Sequence, residues 1–353
     1  MTTHLFSPLK IRGVEFANRV WVSPMCQYSA VDGVPGAWHQ VHLGSFATGG
    51  TGLIIAEATG VVPEGRISIA CPGLYNDAQV AAWKVITDFA HHMGTKIGIQ
   101  LAHAGRKGGT TAPGSDHFMA TKEEGGWLAD APSAIAFEGY PEPHALTVPE
   151  IKNLVEEFAA AATRAIAAGF DVLEIHAAHG YLLHEFYSPL SNTRTDEYGG
   201  SFENRTRFLK EVVTAVRSVM PESMPLFVRI SASDWTEGGW TIEESVQLAP
   251  ELMALGVDLI DASSGGNVHN AKITPGPGYQ VQFADAIKNQ GGISSSSVGM
   301  ITDPEQAEEI IASGKADAVM MGREFLRNPR WPLHAAKVLG QEVHWPAQLI
   351  RAK

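Results

Sequence analysis

"AIAAGFDVLEIH", residues 165–176, carries a fold rule in one short stretch. An alanine-rich helix end runs into Gly169, which suits the left-handed position that stops a helix. An aspartate then opens a short, apolar, β-branched run that reads as a buried strand. The same order recurs in "LMALGVDLIDASS", 252–264, and in "IIASGKADAVMMG", 310–322, with Gly256 and Gly314 at the stops. These strands show little polar alternation, as expected where helices cover the sheet and a filled core lies behind it. Helix starts are equally legible. Thr147 with Glu150 and Thr241 with Glu244 fit the capping box, and Asp303 before Pro304 fits a cap with proline in the first turn. Unequal spacing between the units argues for βα units with varied loops rather than a solenoid.

Working outward, eight strand candidates emerge: "VWVSPM", "GLIIAEA", "KIGIQLAH", "DVLEIHA", "LFVRISAS", "DLIDASS", "ISSSSVGM" and "DAVMMG". The seventh has the least apolar content. Helical patterns over 77–92, 149–168, 203–219, 241–255, 303–313 and 324–339 follow most of them. Alternating units of this number read as a (β/α)8 barrel, an α/β fold, formed by residues 1–353 as a single domain. Residues 104–146 are too long and too rich in Gly and Pro for a simple connection, so an excursion over the barrel mouth after strand 3 is expected.

The chain has 38 acidic and 26 basic residues and a formal net charge of −12, which argues against a nucleic-acid or anionic-membrane surface. Its start lacks a secretory pattern, and no uninterrupted apolar window is long enough to span a bilayer. Cys26 and Cys71 are the two cysteines, too few for a disulfide framework, and a reducing cytoplasm is the expected setting.

Chemistry in such a barrel sits at the C-terminal ends of the strands. Those ends carry Cys26, Gln27 and Tyr28; Glu57; Gln100 and His103; His176, His179 and Tyr181; Arg229; and Gly322 with Arg323. No ring of carboxylates suited to a hard metal is among them. Gly299 and Gly322 open the last two strand–helix loops. They serve either as plain tight turns or, with Arg323 as a clamp, as a phosphate cradle. Gln100 and Arg229 suit the pyrimidine edge of a flavin, with a structural ion pair from Arg229 to Glu57 or Glu174 as the other reading. For His176 and His179 three readings stand: transition-metal ligands with His184 or Glu185, core histidines, or paired donors to a substrate oxygen. In the last case Tyr181 is a ready proton donor.

As a set, these residues resemble the Old Yellow Enzyme family of FMN-dependent ene-reductases, in particular its bacterial, thermophilic-like, cysteine-containing subclass. The match runs from "LFSPLKIRGVEFANRVWVSPMCQYS" through "GIQLAHAGRK", "APSAIAF", "GFDVLEIHAAHGYLLHEFYSPLSNTRTDEYGGSFENR" and "VRISASD" to "SVGMITDPEQAEEII". The resemblance implies an NADPH dehydrogenase that uses FMN, with NADPH or NADH as hydride donor, to reduce activated alkenes such as α,β-unsaturated carbonyl or nitro compounds. It implies that Ser23, Pro24, Met25 and Cys26 line one side of the flavin, with Ala58, Gln100 and Arg229 at its pyrimidine part and Gly299, Gly322 and Arg323 at its phosphate. His176 and His179 bind the substrate oxygen with Tyr28 nearby, and Tyr181 supplies a proton. The ending "WPAQLIRAK" keeps the spacing Pro346, Gln348, Arg351 that in this subclass carries an arginine into a neighbouring subunit. A homodimer or homotetramer sharing Arg351 through the 341–353 segment is therefore expected. A redox-free isomerase or lyase acting on a phosphorylated substrate, and a non-catalytic flavin-binding protein, are the competing readings.

Overall fold

A computed structural model describes residues 4–353. Eight parallel strands close into a barrel: β1 (Val20–Val22), β2 (Leu53–Gly60), β3 (Lys96–Ala102), β4 (Val172–Ala177), β5 (Leu226–Ser231), β6 (Leu259–Ser263), β7 (Ser294–Val298) and β8 (Ala318–Met321). Each strand pairs with its neighbour in sequence, and Val319 of β8 closes the ring against Val20 of β1.

The recurring glycine and aspartate explain how adjacent strands find their register. Gly169, Gly256 and Gly314 take φ values of 90°, 94° and 77°, ending their helices in the left-handed region. The aspartate that follows each glycine binds the start of the preceding strand. Asp171 accepts from the Ile97 N–H at 3.0 Å, Asp258 from Leu226 at 2.9 Å and Asp317 from Ser295 at 3.0 Å. Each aspartate N–H returns a bond of 2.8 Å to the carbonyl of that same residue. A one-residue slip would break both bonds and turn the apolar set to the wrong face.

Inside the barrel, the lower layers are filled by Phe16, Trp21, Leu53, Ile55, Val172 and Phe227 with their neighbours. Trp21 stacks on Phe227 with centroids 5.7 Å apart and planes 11° apart, and Phe16 closes on Trp21 at 4.9 Å. Phe16 arrives on an antiparallel hairpin, Leu9–Ile11 with Val14–Phe16, that precedes β1. A larger cluster fills the space between strands and helices, including Ile54, Trp83, Ile99, Phe158 and Leu209.

Two of the buried hydroxyls of the serine-rich β7 find acceptors, while Ser297 Oγ finds none among the described residues. Ser295 Oγ donates to the Ala284 carbonyl at 2.9 Å and Ser296 Oγ to Asp261 at 3.0 Å. The expected helix over 324–339 is two, Arg323–Arg327 and Trp331–Val338, because Asn328-Pro329 interrupts it and Pro332 opens the second. Three helices had no clear sequence signal: Ala37–Ala47, Leu182–Tyr187 and Val281–Asn289. In none of them does the N-cap side chain accept a hydrogen bond from the first turn among the described residues. Among the described residues, no helix is long and apolar enough to cross a membrane.

Trp21→Ala is expected to lower stability by about 3–5 kcal/mol, because the floor of the barrel cannot collapse around the lost indole. Urea unfolding should show a lower midpoint at unchanged slope, and an unmoved midpoint would contradict the role given to this layer.

Candidate active site

A polar ring crosses the upper barrel at one level. Gln100 of β3 is the register partner of Glu174 in β4, His176 of β4 that of Arg229 in β5, and Asp261 of β6 faces both Arg229 and Ser296. Gln100 Nε2 donates to Glu174 Oε1 at 2.8 Å. Arg229 is bound through Nε to Asp261 and through a terminal nitrogen to Ser23 Oγ at 2.8 Å. Its ion-pair partner is thus Asp261, rather than the Glu57 or Glu174 considered from sequence. Burial works against the charge on Arg229, but Asp261 and Glu174 outweigh it. Burial, with Asp261 adding, pushes the Glu174 carboxyl up to about 8. A guanidinium has five N–H donors, so Arg229 keeps some for a ligand above it.

Above this ring lies a cavity of about 460 Å³, lined by Ser23, Met25, Arg229, Gly299, Gly322 and Arg323 among others, with His179 and Ser263 on one wall. Pro24 sits half-buried between Ser23 and Met25. Ala58 is buried, and in the β2–β3 pairing it stands opposite Gln100 just after a register shift that leaves Glu57 unpaired. That bulge re-aims Glu57 toward Gln27, whose N–H it accepts at 2.9 Å. Gly299 and Met300 take φ values of 130° and 51° at the outer end. Arg323 is exposed there and pairs with no carboxylate among the described residues. The helix expected to point at a phosphate after β7 starts only at Pro304, and Asp303 caps it by accepting from Gln306 at 3.0 Å.

β4 ends at Ala177, and His179 takes φ 61°. Its N–H donates to Ser231 Oγ at 2.8 Å, and its Nε2 lies 2.7 Å from Ser263 Oγ. The next turn leaves no room for a side chain: a Cβ on Gly180 would sit 2.3 Å from the Gly266 carbonyl oxygen. Lys107 Nζ bridges the two touching backbones, donating to the His179 carbonyl at 2.6 Å and the Gly266 carbonyl at 2.9 Å. The result brings three rings together. His176 lies 5.3 Å from His179 and 5.0 Å from Tyr181, at 84° and 78°. His176 Nδ1 is buried without a partner.

The zinc reading needed His184 or Glu185 beside this pair. Instead His184 lies 2.9 Å from Asp234, and Glu185 accepts the Arg106 N–H at 2.9 Å. Burial, then nearby cations, holds both His176 and His179 well below the usual imidazole range, so both rings are neutral near pH 7. Burial pushes the Tyr181 phenol well up and Lys107 down to about 8.

A second space of about 420 Å³ adjoins the rings, lined by Tyr28, Ile67, Lys107, Thr111, Tyr140 and Tyr181. Lys107, Thr111 and Tyr140 come from the 104–146 segment. Cys26 lies beside Cys71 and Glu57, and the contact with Cys71, then burial, raises its thiol. Arg351 is exposed on the terminal 3-10 turn Ala347–Ala352, away from the cavity lining of its own chain. Ser263, Asp261 and Lys107 are the site neighbours that sequence reasoning missed. "GRK" and "DASS" offer no spacing that marks them.

The ring and cavity define a barrel built to hold a flat, polar-edged, phosphorylated cofactor, and the comparisons agree. Residues 4–342 match the model of the NADH:flavin oxidoreductase / NADH oxidase family. An NADPH dehydrogenase of Geobacillus thermodenitrificans is 48% identical over 99% of both chains. Among solved structures, morphinone reductase in complex with tetrahydroNAD superposes with a TM-score of 0.79 at 31% identity, covering 98% of this chain and 93% of that one. The old yellow enzyme homologue from Zymomonas mobilis gives 0.78 at 29% identity, over 97% and 94%. The chain belongs to this flavin oxidoreductase family, the Old Yellow Enzymes. It is an NADPH dehydrogenase-type enzyme that uses FMN and a nicotinamide cofactor.

The depressed imidazoles have a measurable consequence. NMR of ring-labelled protein should show His176 and His179 still neutral at about pH 6.5, where an ordinary imidazole is half protonated. Unfolded chains bind those protons and the native protein does not, so stability should fall as pH drops below about 6.5. A ring that titrates normally would contradict the burial argument.

Proposed function

We propose that the enzyme reduces activated C=C bonds of α,β-unsaturated carbonyl or nitro compounds. The observation that carries this reading is the convergence of two neutral imidazoles and a phenol where the two spaces meet. His179 lines the first and Tyr181 the second. FMN fits the first space on the chemistry of its lining. Arg323 is an uncommitted cation for phosphate beside Gly299 and Gly322. Gln100, Arg229 and Ala58 would meet the pyrimidine part, and Ser23, Pro24, Met25 and Cys26 would cover one face. FMN held there would supply hydride transfer from NADPH or NADH to the alkene's β-carbon.

The chain's own groups then decide which alkene reacts. N–H donors on His176 and His179 hold the substrate's carbonyl or nitro oxygen, and Tyr28 adds a phenol near the same atom. Their bonds strengthen as charge gathers on that oxygen, each contributing ~2–4 kcal/mol. Neutral rings suit this role, since they bind the oxygen without giving up a proton early. Tyr181 keeps its proton and delivers it to the α-carbon. Lys107 Nζ, 4.8 Å from the centre of the Tyr181 ring, stabilises the phenolate left behind. Ser263 fixes the tilt of His179.

The same reading extends to assembly. Among the described residues Arg351 pairs with no carboxylate, which supports a homodimer, or a homotetramer of such dimers, in which it reaches the partner's mouth near Tyr28. Such an exchange is reciprocal under two-fold symmetry. The chain's charge supports small-molecule partners in the cytoplasm, without nucleic acid or membrane.

Tyr181→Phe tests the proton assignment. Flavin reduction by NADPH should keep its rate, while reoxidation by 2-cyclohexenone should slow by about 10²-fold or more. Unchanged enone kinetics would show that another acid supplies the proton.

A further inference from the structure

The bulge that re-aims Glu57 also brings it to two thiols. The Sγ atoms of Cys26 and Cys71 and a carboxylate oxygen of Glu57 all lie within 4.8 Å of one another. Both cysteines are free. Cys71 is fully buried and Glu57 is 4% exposed, whereas Cys26 is partly open beside Tyr28. Two sulfurs and one carboxylate oxygen form a donor set that favours zinc-like cations over magnesium or calcium.

The carboxylate is already oriented for such a ligand. Oε2 accepts the Gln27 N–H at 2.9 Å. On the other side, the Gly36 N–H donates to His39 Nδ1 at 3.1 Å, so that nitrogen is the acceptor and the ring proton sits on Nε2. His39 Nε2 lies 3.2 Å from Glu57 Oε1, close by but not hydrogen-bonded to it. His39 is fully buried on the helix Ala37–Ala47 and cannot swing away without breaking its contact with Trp83, 6.0 Å between ring centres. Each carboxylate oxygen therefore has one fixed neighbour and a lone pair to spare. A hydrogen bond behind a ligating carboxylate, here from the Gln27 backbone, is part of the usual outer layer of a metal site.

We propose that Cys26, Cys71 and Glu57 bind a zinc-type divalent cation, with the fourth position open toward the mouth beside Tyr28. The cation replaces the two thiol protons, which pass to solvent, and no electrons move. Three protein ligands and an open position distinguish it from a closed structural site. It also ties down Cys26, which the proposed function sets against one face of the flavin, so cation binding should inhibit turnover reversibly. The inference does not depend on which alkene the enzyme reduces.

The test uses FMN-loaded, thiol-reduced enzyme titrated with zinc chloride against a chromophoric chelator. One zinc per chain should bind, turnover should fall in step, and a stronger chelator should restore it. Cys71→Ala should weaken binding by at least about tenfold, while flavin content and zinc-free turnover stay as in the wild type. X-ray absorption at the zinc edge of the wild-type complex should show sulfur neighbours at ~2.3 Å, a readout that needs no variant. Absence of stoichiometric uptake, equal affinity in Cys71→Ala, or a first shell without sulfur would overturn the assignment.

Discussion

Keeping the Arg229 guanidinium charged inside the barrel is the constraint on which the site depends. A buried charge is tolerated only when paired and hydrogen-bonded. Here Asp261 pairs with it, Ser23 accepts from it, and Asp261 is in turn held by Ser296 at 3.0 Å. Gln100 and Glu174 continue the ring, so the network draws on strands β3 to β7 and the end of β1. Removing one member of such a pair leaves an uncompensated charge, at a cost of about 3–5 kcal/mol. The cation in turn fixes the electrostatics above it. It helps hold the two histidines neutral and presents spare donors to the cavity above it.

The second constraint is steric. Tyr28, His179 and Met300 are non-glycine residues with φ of 51°, 61° and 51°, and all three line the two spaces. Strain of this kind persists only where surroundings over-determine it. For His179 they do: Ser231, Ser263 and Lys107 hold its N–H, ring and carbonyl separately. The glycines at 180 and 266 let the two loops touch, and that contact places the imidazole.

Much of the fold was legible because its signals are local. Gly169, Gly256 and Gly314, the aspartates after them, and the caps at Thr147, Thr241 and Asp303 are each read from a few adjacent residues. The barrel follows from their repetition. The convergence of His176, His179 and Tyr181 was legible too, since a strand that ends and turns within six residues has few ways to arrange them. What stayed hidden depends on pairs distant in sequence. Asp261 as the partner of Arg229 and Ser263 against His179 are set by barrel register, and Lys107 reaches the site through a long excursion. The four serines of β7 looked unlike a core strand because the acceptors of Ser295 and Ser296, Ala284 and Asp261, lie on other elements. The helix Ala37–Ala47 has a glycine at its N-cap, with no side chain to cap it, and its glycine and histidines blur any apolar stripe.

The account stands on the claim that the two neutral imidazoles act on the substrate's oxygen and leave the cofactor's own chemistry alone. Anaerobic stopped-flow separates those two events in the variant carrying both His176→Ala and His179→Ala. The account predicts retained FMN, a rate of flavin bleaching by NADPH close to that of the wild type, and reoxidation by 2-cyclohexenone slower by about 10³-fold or more, as expected on losing two oxyanion donors. Loss of FMN with the imidazoles, or enone reoxidation at the wild-type rate, would contradict it.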